Sequence, residues 1–122
     1  MTRRLTVAER LAAADKDLRL ADIAGQSIWD RFLVEQAVFA FGQTQDAFSA
    51  NDLRRVLPEL SHGFLGAAIG ALHRGGVIEH TGQMVPSTSG PTHGHRISVW
   101  TLTPSGHAIA AQRRAGRAEA AA

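Results

Sequence analysis

The sequence predicts a mainly helical fold (α+β) carrying one small β-hairpin, and three observations predict it. Two short stretches, 49–57 and 61–74, each open on a residue able to cap a helix and repeat apolar residues at helical spacing. Upstream, 27–42 is apolar on more than one side, as a helix buried on two faces would be. Downstream, β-prone residues at 77–78 and 96–102 flank a segment dominated by Gly, Pro, Ser, Thr and His.

Taken in order, the chain opens with Thr6 and Glu9 as a capping box for an alanine-rich helix reaching about Asp22. Leu11 and Leu18 share a face there, with Val7 and Ala14 beside them, so the apolar stripe is thin. Gly25 and Gln26 are expected to break this helix, which sets residues 1–24 apart as an N-terminal extension. Ser27 and Asp30 then restart a helix whose Ile28, Trp29, Phe32, Leu33, Ala37, Val38 and Phe41 should be core, with part of its second face a dimer seam. Residues 43–47 form a loop.

Ser49 and Asp52 form a capping box, and Phe48 is placed to staple onto Leu53. Leu53, Val56 and Leu57 make the inward stripe of this short helix, with Arg54 and Arg55 pointing away. Pro58 disfavours helical geometry in the residue before it, which ends the helix. Ser61 is the expected cap of the next, on which Phe64, Leu65, Ala68, Ile69 and Leu72 recur, and Gly75-Gly76 stops it. Val77-Ile78 opens a strand, and Ile97, Val99 and Thr101 alternate with Ser98, Trp100 and Leu102 in its partner. Residues 86–95 should be an exposed, mobile tip. Thr103 caps a last helix with Pro104 at its first position, carrying Ala108, Ile109, Gln112, Arg113, Arg114 and Arg117 before an Ala/Glu tail expected to be unordered. Two capped helices a few residues apart, followed by a hairpin, follow the plan of a winged helix-turn-helix over 25–106, with 107–122 as C-terminal helix and tail.

The run Trp100-Thr101-Leu102-Thr103-Pro104-Ser105-Gly106 resembles the aromatic-x-Leu-Thr-x-x-Gly junction of winged-helix regulators of the MarR and PadR type. More loosely, Phe48 to Arg54, Gly66 to Ile78, Pro86-Ser87 and Val99-Trp100 are similar in order to small winged-helix proteins of actinobacterial phages. The resemblance covers roughly Ser27 to Gly106. It implies a DNA-binding module without enzyme chemistry of its own.

Composition bounds the chemistry. With 122 residues and no cysteine, the chain is one domain in size, without disulfides, thiolate metal sites or a cysteine nucleophile. No signal peptide and no apolar run of membrane-spanning length is visible, so no membrane partner is expected and the location is cytoplasmic, at the nucleoid of a bacterial or phage-infected cell. Net charge is only +2, but from Ser49 to Arg114 six arginines face three acids, and all six histidines lie there. Such a balance is compatible with a polyanionic partner.

Candidate DNA contacts follow from position. Arg54 and Arg55 lie on the helix that would cross the backbone. Ser61 and His62 begin the reading helix, and Arg74 lies at its basic end. Ser87, Thr88, Ser89, Thr92, His93, His95 and Arg96 belong to the wing, with Arg96 best suited to a minor groove. The reading helix otherwise offers Gly63, Gly66, Ala67, Gly70 and Ala71, where base readout needs bidentate donors such as Arg, Asn or Gln. Little base specificity is expected. His93 and His95 with His80 or His107 are the only metal-like grouping, and without cysteine or nearby carboxylates no metal is expected. No nucleophile elbow or phosphate-binding glycine motif occurs, so neither catalysis nor a cofactor is expected. Two functions remain: a homodimeric transcriptional or replication-associated factor on double-stranded DNA, or a module docking a protein partner.

Overall fold

The computed structural model of the chain describes residues 6–90 and 94–121, with the side chains of 13–24 left aside. It is mainly helical with one two-stranded antiparallel hairpin, the fold class predicted. The order is α1 (Val7–Thr44), α2 (Ala50–Val56), α3 (Phe64–Arg74), β1 (Ile78–Pro86), β2 (Arg96–Leu102) and α4 (Pro104–Ala121). The chain divides into two compact units, Met1–Phe32 and Leu33–Ala122.

Helix α1 corrects the sequence reading in two ways. Its start is capped as expected, Glu9 N–H donating to Thr6 Oγ1 at 3.1 Å. The break at Gly25-Gln26 does not occur. A glycine in a helix interior costs only about 1 kcal/mol relative to alanine, too little to end a helix of this length. Asp30, expected to cap a new start, instead accepts from Gln26 Nε2 at 2.9 Å along the same helix. Secondly, Ile28, Trp29 and Phe32, expected in the core, are exposed. The buried part of α1 begins at Val34 and continues through Ala37, Val38 and Phe39, three consecutive positions that cover more than one face of the helix.

In the unit Leu33–Ala122, Ser49 caps α2 through the full reciprocal box, its own N–H donating to Asp52 Oδ2 at 2.8 Å. Leu57 ends the helix in extended geometry ahead of Pro58, as steric conflict with the proline ring requires. Leu53 is fully buried and Leu57 half-buried, but Val56, placed on the inward stripe, is 60 % exposed. Leu57 lies outside the helix as its extended C-cap, so it no longer shares a helical stripe with Val56.

Helix α3 does not start at Ser61. Its N-cap is Gly63 at φ 78°, a left-handed conformation that a Cβ would strain, and no side chain caps the helix. The Ser61 carbonyl accepts from Phe64 N–H at 3.0 Å, closing a turn in which Ser61 and His62 are exposed. Ala68, Ile69 and Leu72 supply the buried face, and Gly75 ends the helix.

The hairpin runs where the sequence places it, with Pro86, read as the first residue of the tip, still paired. Ile78 pairs with Leu102, His80 with Trp100, Met84 with Ser98 and Pro86 with Arg96, and the register shifts between His80 and Met84. Gly82 sits in that bulge at φ 88°, and Thr81 Oγ1 donates to the Val99 carbonyl at 3.0 Å across it. Phe48 adds an isolated antiparallel bridge to Trp100, with N–H to carbonyl bonds of 2.9 and 2.7 Å. This third strand fragment, expected only as a helix staple, fixes the entry to α2 against the sheet.

The β2–α4 junction explains its own sequence. Thr103 Oγ1 accepts from Gly106 N–H at 3.0 Å, the expected cap, and donates toward the carbonyls of Gly76 (2.5 Å) and Val77 (3.1 Å). Gly106 is glycine because an added Cβ would run into the Val77 carbonyl, and Leu102 occupies the space a Cβ on Gly42 would need. Helix α4 then continues to Ala121, through the tail expected to be unordered. Arg113 holds it to α1, donating from both terminal nitrogens to Glu35 Oε2 at 3.2 Å while its guanidinium lies 4.9 Å from the centre of the Phe39 ring.

Candidate nucleic-acid interface

Two of the expected DNA contacts turn inward. Arg54 was expected to point away from its helix into solvent. Its Nη2 instead donates to Asn51 Oδ1 and, at 3.2 Å, to Ser87 Oγ. Asn51 is buried, donates from Nδ2 to the Pro86 carbonyl (2.9 Å), and accepts from Thr88 N–H (2.9 Å) and Thr88 Oγ1 (3.1 Å). Ser87, expected on an exposed tip, is 2 % exposed; its N–H donates to the His95 carbonyl at 2.6 Å, and its hydroxyl accepts from Ser89 N–H. The hairpin end is therefore fastened to the first turn of α2 rather than free. The physical reason is complete satisfaction: a buried amide must place its donors and acceptor, and the hairpin backbone supplies what α2 lacks. Among the described residues no buried side-chain nitrogen or oxygen lacks a partner.

The remaining cations are differently placed. Arg55 is exposed and forms only a 3.5 Å pair with Asp52 three residues earlier, an arrangement of small energetic weight. Arg96, at the start of β2, and His95 before it are exposed. Arg74 is exposed at the end of α3, and its guanidinium reaches back along the helix: a Cβ on Gly70 would lie 3.2 Å from Arg74 Nη1. Pro91, Thr92 and His93 lie outside the described residues. Arg113 and Arg117 contact Glu35 and Gln36.

The outer side of α3 is the distinctive surface. Gly66, Ala67 and Ala71 are exposed and Gly70 half-exposed, so most of this face carries no side chain beyond a methyl group. No heavy atom lies within 4 Å of where a Cβ on Gly66 would stand. The helix start has no acid in its first turn and no side-chain cap, whereas α2 and α4 are both capped. Phe64 N–H is taken by the Ser61 carbonyl, and the amides of Leu65 and Gly66 that follow have no side-chain cap.

The histidines group differently from the metal-like set weighed from sequence. His80 stacks on Trp100 with centroids 4.1 Å apart, and His73 meets His80 edge-on at 4.7 Å. No spacing rule could have linked the end of α3 to the middle of β1, since the link is made by the strand register. Among the described residues no three His, Cys, Asp or Glu side chains converge as metal ligands, and no helix is long and apolar enough to cross a membrane. A small cleft of about 90 Å³ lies beside Arg113, lined by Gln36, Phe39, Gln43, Ala110 and Arg117, well below the size of a typical small-molecule pocket. Compared with known proteins, the chain matches no family model, no curated protein and no solved structure.

Proposed function

We propose that the chain is a winged helix-turn-helix module that binds duplex DNA, chiefly through phosphates and with little reading of bases. In this reading α2 and α3 are the helix pair, and the hairpin is the wing. The observation that carries it is the outer side of α3: exposed, almost free of side chains, and opening on a turn whose amides no side chain caps. Helix N-terminal amides are donors suited to phosphate oxygens, and a bare helix face permits close backbone approach. Ser61 and His62 stand at that end, and Arg74 lies along the same helix. Arg55, His95 and Arg96 are the exposed cations of α2 and the hairpin, while Arg54 and Ser87 hold the hairpin in place. The role is binding, in a transcriptional or replication-associated factor. The same bare face also favours a second reading, since Gly66 and Gly70 stand one turn apart and would admit a helix of a protein partner.

Titration of a fluorescent mixed-sequence duplex at 50 and 200 mM salt separates the two. Phosphate-driven binding weakens steeply over that range, and Arg74→Ala and Arg96→Ala should each lower the slope of log affinity against log salt by about one. No binding even at 50 mM salt would remove the DNA reading and leave the protein-docking one.

A further inference from the structure

The described residues of the unit Met1–Phe32 include an exposed apolar surface. Val7, Leu11, Ile28 and Phe32, all on α1, are 66 %, 68 %, 72 % and 44 % exposed. Val7 and Ile28 are 21 residues apart, as are Leu11 and Phe32, so the four occupy two positions of one seven-residue repeat. Their 3-4 spacing is continued in the sequence by Ala14, Leu18, Ala21 and Gly25, so no charged or polar residue interrupts that phase between Val7 and Phe32. Trp29 stacks on Phe32 with ring centroids 5.6 Å apart and is itself exposed, flanking the stripe at one end.

From this geometry we propose that α1 pairs with α1 of a second copy of this chain as a two-stranded coiled coil along the Val7–Phe32 stripe. A strict seven-residue repeat is the pattern of a helix meeting another helix along its length; an ordinary globular contact follows the 3.6-residue period instead. The helix is unbroken through Gly25, so the exposed residues at both ends stand on one helix. Covering Val7, Leu11, Ile28, Trp29 and Phe32 in two copies removes on the order of 1,000 Å² from water, the size at which a specific interface becomes stable. A second copy supplies an identical stripe of equal length, so every apolar layer finds an apolar layer. The inference does not depend on DNA binding.

Sedimentation equilibrium of the intact chain between about 1 and 100 μM tests it, because a standard-sized specific interface associates in that range or below. The expected mass is twice 13.0 kDa at the upper end. Ile28→Gln, on the stripe, should weaken self-association roughly a hundredfold, since two such side chains are lost per dimer. Ile28→Leu should restore it, and Asp30→Asn, off the stripe, should leave it within about twofold. A wild-type chain that stays monomeric at 100 μM overturns the proposal. A dimer indifferent to Ile28→Gln overturns it equally.

Discussion

At the scale of single residues, the most consequential side chain is one whose charge suggested a surface role. Arg54 spends its hydrogen bonds on Asn51 and Ser87, so its removal takes a charged donor from a buried amide oxygen that keeps Thr88 and from a buried hydroxyl that keeps Ser89 N–H. Arg54→Ala should therefore lower stability to urea by roughly 1–3 kcal/mol, the range for leaving buried polar groups short of a partner. Arg55→Ala, one residue on and exposed, should change it by less than about 0.5 kcal/mol. If the two variants unfold at the same denaturant concentration, the network does not hold the hairpin. Gly106→Ala belongs to the same scale: its new methyl would meet the Val77 carbonyl, which is backbone and cannot rotate away. A loss of roughly 1–3 kcal/mol is expected from such overpacking, read as a lowered urea midpoint.

At the scale of elements, what was legible in the sequence was whatever is decided within a few residues. The Ser49–Asp52 box, the Leu57-Pro58 stop and the Thr103 cap depend on chemistry no more than three positions apart, and all stand in the structure. What was not legible depends on partners far along the chain. Arg54 meets Ser87 33 residues later, and Phe48 meets Trp100 across the sheet; neither pairing leaves a local signature. The start of α3 misled for a different reason, since Ser61 is a good cap by residue type but Gly63 takes the left-handed conformation that serine resists. The same logic yields a prediction for the candidate interface. Gly66 has open space where a Cβ would go, and alanine is favoured in a helix by about 1 kcal/mol, so Gly66→Ala should stabilise the fold. Should its affinity for duplex DNA or a partner fall while its melting temperature rises, glycine is there for close approach and not for folding. An unchanged affinity would place the contact elsewhere.

At the scale of the whole molecule, the two compact units differ in what they bury. Every buried hydrophobic side chain among the described residues lies between Val34 and Ala110, so the unit Leu33–Ala122 owns its core. The exposed Val7, Leu11, Ile28 and Phe32 belong to the other unit. Helical periodicity in the sequence marked Ile28 and Phe32 as apolar-facing but could not say whether the apolar face met its own core or another chain. Two consequences follow for unfolding. A chain shortened to begin at Leu33 should still unfold cooperatively in urea, because the hydrophobic contacts that set cooperativity all remain. Its melting temperature should not depend on protein concentration. That of the full chain should rise by several degrees over a hundredfold increase in concentration, since association through the folded helix stabilises the native state by mass action. Concentration-independent melting of both chains would mean that the exposed stripe is not covered by a second copy. A shortened chain that melts without cooperativity would mean that Leu33–Ala122 needs the preceding helix to complete its core.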